Sequence, residues 1–399
     1  MTEFRYDLCV VGGAGHVGLP FALVFANHGL NVAIYDINQS ALDTISKGIM
    51  PFLETGAEPV LKSVLSQGNL VLSSNVEIIR QSKTIVITIG TPVDEFLNPV
   101  FSGIRKSFEF FLPYFHPEQL LILRSTLYPG TTQWLERWLE SQNRPMMVAF
   151  CPERLVQGEG IKEIELLPQI ISGTTPRAER AALDFFKVIA IEIVILTPKE
   201  AEFAKLFSNA YRYISFAIAN QFYMITTSAN IDYERVMKGV KYHYPRLEGL
   251  TGAGFAAGPC LFKDTMQLNA FANNSFFLGQ AAMNVNEGLI LYIAERLSGK
   301  YDLQNMTIGL LGMAFKPNND DIRSSLSYKM KKIMKFRAKN VLTTDPYVTE
   351  DPELFPLEEV IGKSDLIILC VPHKQYKTLN IEDKPLIDIW GYTGKGTLF

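Results

Sequence analysis

An apolar run at residues 5–11 (RYDLCVV) breaks directly into Gly12-Gly13-Ala14-Gly15-His16-Val17-Gly18-Leu19-Pro20, and a helical run, FALVFANHG, follows at once. No other feature restricts the fold as much. A short run of this kind ending in glycines reads as a buried parallel strand. Gly13, Gly15 and Gly18 have the G-x-G-x-x-G spacing that joins such a strand to a helix in dinucleotide-binding sheets. The first glycine permits a tight turn, the second lets a pyrophosphate approach the backbone, and the third lets the helix pack closely on the strand. The next strand, NVAIYD, ends in Asp36, where a carboxylate hydrogen-bonds the ribose hydroxyls of NAD and repels the 2′-phosphate of NADP.

The runs NLVLSS, KTIVITIG, QLLILRS, PMMVAF, PQIISG and EIVIL continue the pattern in alternation with helical stretches, which predicts an open α/β sheet. Ligands of such sheets bind outside the carboxyl ends of the strands. The sequence places there Gly90-Thr91-Pro92, then Ser125-Thr126-Leu127-Tyr128-Pro129-Gly130-Thr131-Thr132, then Cys151-Pro152-Glu153-Arg154-Leu155-Val156-Gln157-Gly158. Hydroxyls and one carboxylate gather at one edge, although each taken singly is an ordinary turn or helix cap.

A chain of 399 residues is too long for one core and implies roughly two to three domains. With 47% hydrophobic and 20% charged residues it is globular rather than disordered. A net charge of -3 and a pI near 6.0 supply no global basic field for nucleic acid or anionic lipid. No segment approaches the roughly 18 apolar residues of a membrane helix. The N-terminal apolar run is too short for a secretory signal, so the expected compartment is the cytoplasm. Cys9, Cys151, Cys260 and Cys370 are widely spaced, with no CxxC and no Cys/His cluster, which points to neither a disulfide frame nor a metal site.

From Pro198 the pattern turns helical for about 30 residues without an interior proline or glycine. Such a helix can bridge domains and offer an apolar face to a partner subunit. Lys205 and Asn209, spaced i, i+4, project from one face of it, as a functional pair or as a solvated polar stripe. Past Arg246 comes Gly252-Ala253-Gly254-Phe255-Ala256-Ala257-Gly258-Pro259-Cys260-Leu261-Phe262-Lys263-Asp264-Thr265. Small residues there leave room for a ligand. A cation and a carboxylate beside Cys260 favour a thiolate and can shuttle its proton, the plainer reading being a buried loop cysteine beside a surface ion pair.

A helix, TMQLNAFANN, and an amphipathic run to Leu297 follow, and SGKYDLQN marks a boundary. Beyond it MTIGLLGM, NVLTTDPYV, DLIILCVP and PLIDIWG form a second set of buried strands, without a G-x-G-x-x-G. The first of them ends in a charged run, GMAFKPNNDDIRSS. The expected fold is therefore two Rossmann-like, doubly wound parallel-sheet domains, 1–196 and 301–399, joined by a central helical region, 197–300, with a long connecting helix.

In this order GGAGHVGLP, GTP, STLYPGTT, CPERLVQG, the Lys205/Asn209 helix, GFAAGPCLFKDT, GMAFKPNNDDIRSS and TDPYV resemble the UDP-glucose/GDP-mannose dehydrogenase family over essentially the whole chain. The resemblance implies an NAD-dependent enzyme that oxidises a nucleotide sugar at C6 to a uronic acid for polysaccharide biosynthesis, with a homodimer formed through the central helix. It implies that Cys260 captures the intermediate aldehyde as a thiohemiacetal, which a second oxidation turns into a thioester that water hydrolyses. Lys205 and Asn209 would donate to the developing oxyanions. Asp264 would position or activate water, Glu153 would assist hydrolysis, and Thr126 would hold a water between them.

For the cofactor, the resemblance implies contacts from Gly13, Gly15, His16, Val17, Gly18 and Asp36, and further ones from Thr91, Thr126, Lys263 and Arg323. The UDP-sugar would meet Glu153, Arg154, Leu155, Lys205 and Asn209. Phe255, Gly258, Lys316 and Arg246 would complete its site, the last reaching a substrate phosphate from across the dimer. The C-terminal domain would hold the uridine.

Three places depart from the family pattern: Ala256-Ala257-Gly258-Pro259 replaces the glycine pair before the cysteine, Leu261-Phe262 replaces Phe-Pro after it, and His16 is the aromatic after the second glycine of the cofactor loop, as a loop residue near the pyrophosphate rather than a base. CPERLVQG followed by LLPQIISG is more similar to members acting on UDP-N-acetylhexosamines, UDP-N-acetylmannosamine in particular, than to the UDP-glucose enzymes. A UDP-glucose 6-dehydrogenase remains the alternative. Further off are a two-electron β-hydroxyacid dehydrogenase and a silent nucleotide-sugar binding protein.

Overall fold

The computed structural model of the protein describes residues 4–90, 94, 101–381 and 384–394. The chain divides into two compact units, 1–208 and 209–399.

Six parallel strands form the sheet of the first unit: β1 (Tyr6–Val11), β2 (Val32–Tyr35), β3 (Leu70–Ser73), β4 (Ser82–Ile87), β5 (Leu120–Leu123) and β6 (Met147–Phe150). Their order is β3-β2-β1-β4-β5-β6. The order reverses between β1 and β4, which opens a crevice at the carboxyl ends of those two strands. Alternation along β1 shows why its residues are apolar on both faces. Leu8 and Val10 enter a core with Phe21 and Phe25, whereas Cys9 and Val11 enter another with Ile85 and Phe108.

PQIISG and EIVIL do become strands, β7 (Gln169–Ile171) and β8 (Ile193–Ile195), but they pair only with each other in a separate two-stranded sheet. Its link to the main sheet is one antiparallel bridge between Ala149 and Gly173. Backbone crowding makes a glycine necessary there, since a Cβ on Gly173 would meet the Glu179 nitrogen.

The second unit contains β9 (Thr307–Leu311), β10 (Asn340–Thr344), β11 (Leu366–Leu369) and β12 (Leu386–Ile387), all parallel, in the order β10-β9-β11-β12. Helices Phe277–Lys300 and Leu326–Arg337 share a core with this sheet through Leu289, Ile293, Leu297, Met330 and Met334. The predicted long helix runs from Pro198 to Ser228, and the division between the units falls inside it. Among the described residues no helix is long and apolar enough to cross a membrane, and no cluster of His, Cys, Asp or Glu is arranged to hold a metal ion.

Candidate active site

In the first unit, Gly12 has φ of 77° and donates to the Tyr35 carbonyl at 2.9 Å, so the chain leaves β1 by turning over the end of β2. Steric room assigns each fingerprint glycine its task. A Cβ on Gly13 would lie 2.8 Å from the Val10 carbonyl oxygen and one on Gly18 2.6 Å from that of Gly12, whereas Gly15 has nothing nearer than 3.5 Å. Gly13 and Gly18 therefore permit packing of protein on protein, and exposed Gly15 leaves space for a ligand. Val17 caps the helix Gly18–Asn27 without a side-chain hydrogen bond; Leu19 N–H is taken by the Gly15 carbonyl at 2.9 Å and Pro20 carries none.

Asp36 accepts from Ala14 N–H at 3.0 Å and from Asn38 N–H at 2.9 Å, which fastens its carboxylate to the glycine loop. His16 packs its ring on Phe52 and meets the side chain of Gln157 at 2.9 Å. These residues fit a dinucleotide. Thr91 lies outside the described residues. Thr126 is buried at the carboxyl end of β5.

Glu153 is buried beyond β6. One carboxylate oxygen receives Arg124 Nε at 2.7 Å and Nη2 at 2.6 Å, and the other receives the N–H groups of Arg154 at 2.7 Å and Leu155 at 3.0 Å. Arg124 is 1% exposed, lies over the rings of Phe21 and Phe186, and also donates to the Cys151 carbonyl. The carboxylate thus shapes the Arg154-Leu155 backbone as well as offering charge. Glu202, one turn before half-buried Lys205, accepts from the N–H and hydroxyl of Thr132 at 2.8 and 2.6 Å and from Gly130 N–H at 2.5 Å. It caps the helix Thr131–Ser141 and ties the start of the long helix to the loop that carries Thr126.

In the second unit, the helix expected from Thr265 begins at Leu261, four residues earlier, because small residues up to Gly258 release the chain into helical geometry as soon as Pro259 is passed. Cys260 is consequently its N-cap, with Lys263 and Asp264 in the first turn. The Cys260 side chain makes no capping hydrogen bond, but a helix N-terminus favours negative charge on a nearby sulfur, and the Arg323 guanidinium adds a positive field. Of the four cysteines only Cys260 is exposed. Burial pushes the thiols of Cys9 and Cys151 up to about 12 and raises that of Cys370 as well.

Asp264 is fully buried and accepts from Asn209 Nδ2 at 2.6 Å, while Lys263 Nζ lies 3.9 Å from its other oxygen. Arg323 forms a bidentate pair with buried Asp321 at 2.6–3.0 Å and remains 59% exposed at its side chain. Gly258, at φ of 105°, donates to the Ser324 carbonyl and lies so near the Phe315 ring that a Cβ would approach within 2.6 Å. The Cys260 and Arg323 segments are thereby held together. Lys316 is half-buried beside them in sequence, Phe255 puts its side chain into the core and offers its backbone, and Arg246 is exposed over the Tyr244 ring.

Sequence reasoning missed the residues that hold these groups in place. Asn220 exchanges two hydrogen bonds with the Gly254 backbone, at 2.8 and 3.0 Å, and donates to Asn286, which donates to the Tyr213 carbonyl. Arg124, Glu202 and Asp321 were equally silent. An asparagine inside a helical run, or an arginine directly before a Ser-Thr pair, was the available signal, and it has meaning only once its partner is known.

The chain matches the UDP-glucose/GDP-mannose dehydrogenase family in three consecutive parts: the NAD binding domain over residues 7–189, the central domain over 199–288 and the UDP binding domain over 309–394. A UDP-N-acetyl-D-mannosamine dehydrogenase of Pyrococcus horikoshii is 30% identical over 383 residues, covering 93% of this chain and 90% of that protein. The structure of a UDP-D-ManNAc dehydrogenase from the same organism superimposes with a TM-score of 0.86 at 29% identity, covering 94% of this chain and 91% of that one. That of a UDP-glucose dehydrogenase from Pyrobaculum islandicum gives 0.90 at 25% identity, with 98% and 95% covered.

Proposed function

The chain belongs to the UDP-glucose/GDP-mannose dehydrogenase family and is an NAD-dependent UDP-sugar dehydrogenase, and from that premise we propose that it oxidises a UDP-N-acetylhexosamine, UDP-N-acetylmannosamine foremost, at C6 to the uronic acid. The observation that carries the mechanism is Cys260 at a helix N-terminus, exposed, with Asp264 one turn on and paired to Asn209.

NAD bound on the glycine loop would supply the hydride acceptor for each of the two oxidations, and the net reaction would consume two NAD and one water per sugar. The thiolate of Cys260 adds to the C6 aldehyde left by the first oxidation, giving a thiohemiacetal. The second oxidation leaves a thioester, and water replaces sulfur to release the acid and restore the thiol. Lys205 and the second N–H of Asn209 Nδ2 donate to the oxyanions, and Asp264, oriented by Asn209, steers the water. Glu153 assists hydrolysis by setting the Arg154-Leu155 backbone against Arg124. Gly15, His16, Val17 and Asp36 hold the dinucleotide on a loop that Gly13 and Gly18 shape, with Lys263 and Arg323 contributing charge. Thr126 holds a water and contacts the dinucleotide, whereas Gly258, Lys316, Arg246 and the Phe255 backbone complete the sugar-nucleotide side.

A homodimer through the central helix is supported by exposed Tyr211, Ile218, Phe222 and Ile225, which recur at helical spacing on one side of it. Cytoplasmic residence suits an enzyme that needs a reduced thiol. The preference for UDP-N-acetylmannosamine rests on the relatives that carry that name.

The test is the NADH yield with limiting UDP-N-acetylmannosamine, UDP-N-acetylglucosamine and UDP-glucose in parallel. Two NADH per molecule of the first is the expected result. One NADH per sugar would refute the thioester route, and turnover of UDP-glucose alone would replace the substrate.

A further inference from the structure

Segment 49–56 joins the pyrophosphate loop to the residues after β6. Glu54 is buried and accepts from the N–H groups of Gly158 at 3.0 Å, Gly160 and Ile161 at 3.3 Å. Thr55 N–H donates to the Gly158 carbonyl at 2.9 Å, and its hydroxyl donates to Glu159 at 3.2 Å. Two residues before Glu54, Phe52 packs its ring on His16 with centroids 4.0 Å apart. Gln157 Nε2 stands 2.9 Å from His16 Nδ1, across 141 residues of sequence. Gln157 is thus fixed through the backbone that follows it and touches the glycine loop with its side chain. Rotating its amide offers Nε2 to a bare ring nitrogen or Oε1 to a protonated one, so the contact survives either state of the ring.

We propose that Gln157 is a positioning residue which, through His16, makes the affinities for dinucleotide and sugar nucleotide interdependent. A dinucleotide on the glycine loop holds His16, His16 holds Gln157, and Gln157 holds the segment two residues from Leu155. Each ligand therefore favours the loop arrangement that the other needs, and linkage requires the effect to be equal in both directions. The proposal rests on the functional reading above, which seats NAD on the glycine loop and the sugar nucleotide at Arg154-Leu155.

NADH forms a dead-end complex with the alcohol substrate, so binding can be read without turnover. NADH would be titrated by fluorescence into the full-length enzyme with and without a saturating amount of the UDP-sugar that gives turnover. The sugar nucleotide should tighten NADH binding about tenfold in the wild type, a factor within the usual range of coupling between sites. In Gln157→Ala, and in His16→Phe, which keeps a ring on Phe52 but lacks the nitrogen, the factor should fall towards one. A wild-type factor of one, or a factor undiminished in both variants, would overturn the proposal while leaving the enzymatic reading intact. An enzyme that bound no NADH at all would overturn both.

Discussion

Asn209 donates its side-chain amide to Asp264 at 2.6 Å, and both groups are buried, so the long helix and the cysteine helix meet at a polar pair beside the apolar contact of Tyr213 and Ala217 with Leu261. A lone hydrogen bond contributes about 1 kcal/mol, but a buried carboxylate stripped of its donor costs about 1–3 kcal/mol or more. Asn209→Ala should therefore lower stability by that larger amount and slow hydrolysis of the acyl enzyme. Asp264→Asn, which removes the charge, should stall at the thioester. Urea unfolding and mass spectrometry of the denatured enzyme check the two; an Asp264→Asn variant with wild-type turnover and no acyl adduct would refute the assigned role.

Cys260→Ser should bind NADH and UDP-sugar with near-native affinity yet make no net uronate, because serine at neutral pH forms no comparable nucleophile. The other three cysteines are buried and cannot substitute for it. Product analysis by mass spectrometry decides, and uronate at the wild-type rate would end the covalent mechanism.

Gly15→Ala and Gly18→Ala should fail in different ways. An added methyl at residue 18 would lie 2.6 Å from the Gly12 carbonyl oxygen, so the fold should lose about 1–3 kcal/mol. At residue 15 the methyl meets nothing nearer than 3.5 Å, so melting should be unchanged while NAD binding falls sharply. Thermal melting set against NADH titration separates the two, and equal loss of stability in both would contradict the assignment of the glycines.

Arg124→Leu leaves Glu153 buried with half of its donors gone and should destabilise by about 3–5 kcal/mol. Adding Glu153→Leu should recover much of that stability without recovering activity, because the Arg154-Leu155 backbone then lacks its acceptor. Denaturant unfolding of the single and double variants checks the sign, and a double variant less stable than the single would show that the pair is net stabilising.

Asp345 at the carboxyl end of β10 accepts from the N–H groups of Met313 and Ala314 at 2.6 and 2.9 Å and from buried His373 at 3.0 Å. Burial alone would raise its pKa, but the His373 hydrogen bond and charge and the backbone donors outweigh burial and hold it below the ordinary 3.8. A carboxyl with a depressed folded pKa stabilises fully above its unfolded value, and that stability is lost as pH falls through the folded one. The stability gap between wild type and Asp345→Asn should hold from neutral pH to about 4 and narrow below the unfolded value of about 3.8. Unfolding at a series of pH values checks this; a gap that widened on acidification would reverse the sign.

The spacing of Gly13, Gly15 and Gly18, the apolar alternation that became β1 to β6 and β9 to β12, and the uninterrupted helical run to Ser228 were all legible in the sequence, because each is a consequence of local backbone geometry. So was the neighbourhood of Cys260 with Lys263 and Asp264, which needs no fold to exist. What tertiary structure alone decided is how the charges are held. The pairing of Arg124 with Glu153 spans 29 residues, that of Asn209 with Asp264 spans 55, and that of His16 with Gln157 spans 141. Strand order fixed the first by laying β5 beside β6, helix packing fixed the second, and the bridging segment of Phe52 and Glu54 accompanies the third, and none of these leaves a periodic trace in the residues concerned. The separation of β7 and β8 from the main sheet has the same origin, since an apolar run carries its preference for extended backbone but not the identity of the strand beside which it will lie.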